Sequence, residues 1–309
     1  MKALSFEIAI PPEAVSSPLP KVALESVVIT FGLPYPHNLE VALGMERAIH
    51  EEGAIPLTVA VIGGKIKAGL SREEIEFLAR AEGIRKVSRR EIPFVVASGG
   101  NGATTVSGTV FVAGKIGVRI VATGGLGGVH RGSAFDISAD LPTVAETPVA
   151  IVCSGAKSIL DLEATLEWLE TWGVPVIGFG TQEFPAFYTS ISGLPLEYSA
   201  SSVEEAARFL RAHWALRPEC GAIVAVPVPR DKEIDRRELE EIVEKAQREA
   251  EERGIKGKSL TPFLLQRLAE LSEGKTLEAN KALLLNNAKV AAQLARALTE
   301  SSFQGRQTA

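Results

Sequence analysis

The chain has 309 residues, 46% of them apolar, enough for a sizeable core, and its formal charge of −5 argues against a nucleic-acid binder with a basic surface. Two cysteines, Cys153 and Cys220, exclude a disulfide framework and a cysteine-built zinc site. No apolar run approaches the roughly 18 residues of a membrane span, and MKALSFEIAIPPEAV lacks a signal-peptide core, so a cytoplasmic protein is expected.

Residues 1–16 and 301–309 read as loosely anchored tails of one domain, unless the first packs on a neighbouring subunit. Short apolar runs at 27–30, 57–62, 94–97, 119–122, 150–153, 174–178 and 222–226 read as strands buried on both faces, and glycine or proline follows nearly all of them. Gly63-Gly64 reads as a tight hairpin turn. Helical patterns fall between the strands: 39–52 behind Asn38, 71–81 and 202–212 behind Ser71…Glu74 and Ser202…Glu205, and 159–172 behind Ser158…Asp161, closed by Gly173. This alternation predicts an α/β domain with a mostly parallel sheet and helices on both faces. From Asp231 to about residue 300 the pattern is helical, and Phe263, Leu264, Leu268 and Leu271 require that part to pack on the sheet core.

Ligands of open α/β sheets bind beyond the carboxyl ends of strands, which directs attention to glycine-rich loops. These are Ser98-Gly-Gly-Asn-Gly-Ala-Thr-Thr105, Thr123-Gly-Gly-Leu-Gly-Gly-Val-His-Arg-Gly132 and Cys153-Ser-Gly-Ala-Lys157. Their N–H groups suit phosphate oxygens, so an anionic, phosphorylated ligand is expected. Nucleotide motifs fail: Glu252 stands where a Walker loop before Gly257-Lys258-Ser259 needs glycine, and Gly124-Gly-Leu-Gly-Gly128 is not a dinucleotide turn.

Lys157 admits two readings, an uncharged amine that attacks a carbonyl or a point charge for phosphate. A helix opening at Ser158 would disfavour the ammonium form and support the first. Asp136 and Asp140 flank Ser138 in Phe135-Asp-Ile-Ser-Ala-Asp140. They fit either a hard, hydrated metal ion at Asp136 with proton handling at Asp140, or helix capping. Glu25 is a general acid if buried and otherwise a strand-end residue. Lys86 and Arg89-Arg90 form a solvated basic face or a phosphate contact. His130-Arg131 binds an anion or orders its loop, whereas His37, His50 and His213 show no ligand spacing.

Taken in order, Ala23-Leu-Glu-Ser26, Phe31-Gly-Leu-Pro-Tyr-Pro-His-Asn-Leu-Glu40, Gly53-Ala-Ile-Pro56, Lys86-Val-Ser-Arg-Arg90, Asn101-Gly-Ala-Thr-Thr-Val106, Ala122-Thr-Gly-Gly-Leu-Gly-Gly-Val-His-Arg-Gly132, Phe135-Asp-Ile-Ser-Ala-Asp140, Gly155-Ala-Lys-Ser-Ile-Leu-Asp161, Leu260-Thr-Pro-Phe263 and Asn286-Asn-Ala288 resemble the pseudouridine-5′-phosphate glycosidase (indigoidine synthase A-like) family. The resemblance implies a three-layer α/β/α sandwich assembled as a homotrimer. It implies reversible cleavage, by a formal carbon–oxygen lyase, of the carbon–carbon glycosidic bond of pseudouridine 5′-phosphate to uracil and ribose 5-phosphate. It further implies Lys157 as nucleophile, Glu25 as proton donor, substrate contacts at Lys86, Val106, Ser138, Ala139 and Asp140, and Mn²⁺ at Asp136. Between Arg131 and Phe135 the chain is shorter than the family pattern. A non-catalytic sugar-phosphate sensor and a sugar or nucleoside kinase are the competing readings.

Overall fold

The computed structural model describes residues 7–132, 135–255, 257 and 260–304. The chain opens with β1 (Ile8–Ala9), α1 (Pro12–Ser16), β2 (Lys21–Glu25), a π-helical turn (Val28–Gly32) and α2 (His37–Glu51). β3 (Ile55–Ile62) and β4 (Lys65–Ala68) form an antiparallel hairpin around Gly63-Gly64. Next come α3 (Arg72–Arg80), β5 (Arg85–Val87), α4 (Ile92–Ala97), β6 (Gly102–Thr104), α5 (Val106–Lys115), β7 (Ile120–Ala122), β8 (Val129–His130) and α6 (Asp140–Ala145). The second half holds β9 (Ala150–Cys153), β10 (Leu160–Asp161), α7 (Leu162–Thr171), β11 (Val176–Phe179), β12 (Tyr198–Ala200), α8 (Val203–Leu216) and β13 (Ala222–Ala225). Helices α9 (Arg236–Glu252), α10 (Leu260–Leu271) and α11 (Lys275–Gln304) finish the chain.

Among the described residues the main sheet has 11 strands, in the order β1-β4-β3-β2-β7-β9-β13-β11-β12, with β6 beside β3 and β5 beside β6. From β3 to β12 every neighbouring pair is parallel. Side chains alternate across the sheet: Val22, Leu24, Ala150 and Val152 enter one apolar cluster, whereas Ala23, Ile151 and Cys153 enter the other. Met45 of α2, Leu210 of α8, Val243 of α9, Leu268 of α10 and Leu284 of α11 cover the first face. Val110 of α5, Leu141 of α6 and Leu169 of α7 cover the second. These are the two helical layers of an α/β/α sandwich. α11 lies against β2, β7 and β9, the strands that carry the site.

The structure corrects several local expectations. Residues 27–30 are helical rather than extended, because the strand has already ended at Glu25 and Ile29 N–H bonds the Ser26 carbonyl. Residues 94–97 belong to α4: Pro93 occupies its first turn, Ile92 and Val95 point inward, and Phe94 is exposed. A short apolar run records burial, not conformation. α2 starts at His37 behind Pro36, and Asn38 instead donates to the carbonyls of Ile29 and Ala79. The tail expected over 1–16 is, from Ile8 onward, paired with β4 and packed through the buried Ala14.

The helix expected to open at Ser158 begins only at Leu162, with Asp161 as its cap, accepting from Ala164 N–H. Leu160–Asp161 is drawn into antiparallel pairing with Val129–His130 first. Lys157 therefore does not stand at a helix start, and the helix-dipole argument for it falls. Ser71 and Glu74 form both bonds of the expected capping box, whereas Glu205 reaches Ser201 N–H rather than Ser202 N–H.

Candidate active site

Glu25 ends β2, and Lys157 follows the loop leaving β9; β7 lies between these strands, so its glycine loop runs between the two side chains. The Lys157 loop is fixed by its backbone: Leu126 N–H bonds the Gly155 carbonyl (2.9 Å), and Lys157 N–H returns to the Leu126 carbonyl (3.1 Å). Gly155 is required there. Its φ is +73°, and a Cβ would lie 1.9 Å from the Pro185 carbonyl oxygen. Arg131 donates to the carbonyls of Ser158 and Leu160, so it orders the segment just beyond Lys157.

A cleft of about 470 Å³ opens over these loops, and its wall contains Glu25, Lys86, Val106, Asp136, Ser138, Ala139, Asp140 and Lys157. The structure thus brings to one cavity all eight residues that the family resemblance assigns to the site, whereas Arg89 pairs with Glu146 instead and Arg131 is not on the wall. A narrower chamber shares Glu25, Lys86 and Lys157 and is closed by Val28, Phe31, Phe187, Leu265, Asn280 and Leu284. Phe187 and the residues of α10 and α11 were not nominated from sequence, although the Leu260-Thr-Pro-Phe263 and Asn286-Asn-Ala288 motifs flagged their helices.

Glu25 is 6% exposed. The Thr123 hydroxyl donates to its Oε1, and Oε2 is buried without a hydrogen-bond partner. Burial pushes its carboxyl above the ordinary glutamate range, an effect opposed by the Lys157 charge, the Thr123 hydrogen bond and Lys86, and reinforced by Asp140. The site therefore favours a protonated acid next to a lysine, a combination suited to donating a proton.

Asp140 is tied into the scaffold. Its Oδ1 accepts from Ser107 N–H (2.8 Å) and its Oδ2 from Gly127 N–H (2.9 Å), joining α5 to the glycine loop. A Cβ at Gly127 would come within 2.3 Å of Ser138 Oγ, so that loop approaches the 138–140 segment as only glycine permits. Thr105 caps α5 by accepting from Gly108 N–H, and the N-terminus of that helix, at Thr105 and Val106, faces the cleft. A helix N-terminus with Lys86 nearby suits a phosphate. Asp136 is exposed on the cleft wall with His130 also lining it. Among the described residues no group of three or more His, Cys, Asp or Glu converges to hold a metal ion. A single accessible carboxylate fits a hard divalent ion that keeps most of its water.

Fold and site together define an α/β/α enzyme in which the ends of two parallel strands, one strand apart in the sheet, hold a lysine and a buried acid on one cleft. More particularly, the chain belongs to the indigoidine synthase A-like family, whose model, described as Indigoidine synthase A like protein, matches residues 12–297. It is 52% identical over 278 residues, 89% of this chain and 91% of the other, to the pseudouridine-5′-phosphate glycosidase of Caldanaerobacter subterraneus. It is 51% identical over 282 residues, 91% of this chain and 94% of the other, to the glycosidase of that name from Geobacillus kaustophilus. Among solved structures, an indigoidine synthase A-like protein from Thermotoga maritima superposes with a TM-score of 0.88 at 40% identity, covering 95% of this chain and 97% of its own. The prealnumycin C-glycosynthase AlnA, solved with ribulose 5-phosphate, also gives 0.88, at 35% identity, covering 96% of this chain and 98% of its own.

Proposed function

We propose that the chain is a pseudouridine-5′-phosphate glycosidase that reversibly cleaves the carbon–carbon glycosidic bond, giving uracil and ribose 5-phosphate. The observation that carries this reading is the shared cavity wall: Lys157 and the buried Glu25 face one cleft in a chain about half identical to glycosidases of that name. AlnA, whose name marks C-glycoside synthesis and which was solved with a sugar phosphate, supports the same substrate class.

Uracil leaves through carbon, which has no lone pair to protonate, so the usual carboxylate pair of glycosidases is insufficient. Lys157 Nζ bonds the anomeric carbon C1′ as the C1′–O4′ bond breaks and O4′ takes a proton, opening the ribose. Glu25 then protonates uracil C5 while the nitrogen lone pair forms the C1′=N bond and the C1′–C5 bond breaks. Water hydrolyses the imine, restoring the lysine and releasing ribose 5-phosphate. One water is consumed overall.

Lys86 and the N-terminus of α5 at Val106 hold the 5′-phosphate, with Ser138, Ala139 and Asp140 lining the sugar side of the cleft. Phe31, Phe187 and Leu284 enclose the flat base, and Asn280 offers it an amide. Asp136 would hold the Mn²⁺ ion. When bound, the ion would supply positive charge at the cleft wall. A homotrimer and a cytoplasmic location belong to the same proposal; exposed Phe94 and Phe135 offer apolar surface for assembly, and both cysteines are free and buried. Among the described residues no helix is long and apolar enough to cross a membrane.

Incubating the protein with Mn²⁺, uracil and ribose 5-phosphate should yield pseudouridine 5′-phosphate, identified by mass and ultraviolet spectrum. Binding of the sugar phosphate with no C-nucleotide formed would instead support a non-catalytic sensor.

A further inference from the structure

Asn287, on the sheet-facing side of α11, is fully buried beneath the glycine loops. Its Nδ2 donates to the Thr123 carbonyl at 2.9 Å, approaches the Gly124 carbonyl at 3.4 Å, and lies 3.1 Å from Ser154 Oγ. Ser154 Oγ in turn lies 3.4 Å from Asn287 Oδ1. The two loops touched here are the ones that carry the chemistry. Thr123 donates its hydroxyl to Glu25, and Ser154 leads through Gly155 to Lys157. The helix is also pressed close: a Cβ at Gly124 would meet Leu283 and Leu284 side-chain carbons at 3.1 Å. An amide supplies two donors and an acceptor at once, and an apolar side chain in its place would leave buried carbonyls and a hydroxyl without that partner.

We infer that Asn287 is a positioning residue, whose amide clamps the first turns of both loops and so sets the separation between the Glu25 carboxyl and the Lys157 amine. The role rests on the glycosidase reading above. It predicts loss in the chemical step rather than in substrate binding, because the Asn287 amide bonds the two loops and lines neither the phosphate end of the cleft nor the base chamber. A displacement of about 1 Å at a reacting group lowers a rate by about a hundredfold.

The test is steady-state cleavage of pseudouridine 5′-phosphate by the full-length chain and its Asn287→Ala, Asn287→Asp and Ser154→Ala variants. Asn287→Asp keeps the size but sets carboxyl oxygens against the Thr123 carbonyl. Ser272→Ala, which removes a buried hydroxyl paired with Thr276 outside the cleft, reports general loosening of the helical layer. The expected result is a fall in kcat of about a hundredfold for both Asn287 variants and a smaller fall for Ser154→Ala, with KM within about threefold throughout. Ser272→Ala should keep its kcat. Wild-type turnover with unchanged kcat in folded Asn287→Asp, or an equal kcat loss in Ser272→Ala, would overturn the inference alone. A wild-type chain that cleaves nothing would overturn the glycosidase reading and this role with it.

Discussion

Replacing Glu25 by glutamine probes the acid in two independent ways. The substitution keeps the shape and the acceptor for the Thr123 hydroxyl, and it replaces the partnerless Oε2 with an amide that cannot supply the proton. Loss of a positioned general acid lowers kcat by about 10²- to 10⁴-fold. Stability should move the other way. The folded state holds the Glu25 proton more tightly than the unfolded chain, whose glutamate titrates near 4.5. That contribution is fully present below the unfolded value and is lost as pH rises through the folded one. Across this window the wild type loses about 1.4 kcal/mol per pH unit that the Glu25→Gln chain does not lose. For a chain of this size that is a Tm difference growing by about 2 °C per pH unit. Thermal unfolding of both chains from pH 4.5 to 8, together with single-turnover rates, measures it. Parallel Tm curves, or a Glu25→Gln chain of undiminished rate, would refute the buried-acid argument.

Gly155→Ala should destabilise the chain by about 2 kcal/mol or more, because the positive φ and the Pro185 carbonyl both exclude a methyl group; chemical denaturation reads the loss. Asp136→Ala should weaken Mn²⁺ binding by at least about tenfold, measured by calorimetry or by the water-proton relaxation of the ion. Unchanged affinity would move the ion to another site.

Much of this site was legible because its parts lie in the loops that follow the strands. Lys157, the glycine loop from Thr123 and the Asp136–Asp140 segment stood out as glycine-rich or charged stretches after apolar runs, and the fold brings them to one cleft. What remained hidden depends on distance along the chain. Thr123 and Asn287 are 164 residues apart, and nothing local marks their contact. Phe187, which holds a positive φ of 68° and crowds Gly125, gave no periodic signal either. Ser158…Asp161 shows the opposite failure: a spacing that imitates a capping box is overridden by tertiary pairing of β10 with β8, leaving the buried Ser158 hydroxyl without a partner. The strand-like reading of 94–97 failed for a related reason, since only the burial of Ile92 and Val95 with Phe94 outside reveals the helical period.

The central claim is a covalent bond between Lys157 and the opened sugar. Borohydride added to the protein with ribose 5-phosphate should reduce the imine to a stable secondary amine, and peptide mass mapping should find the added sugar phosphate on Lys157 and on no other lysine in stoichiometric amount. A protein that turns over substrate but carries no reduced adduct at Lys157 would contradict the account.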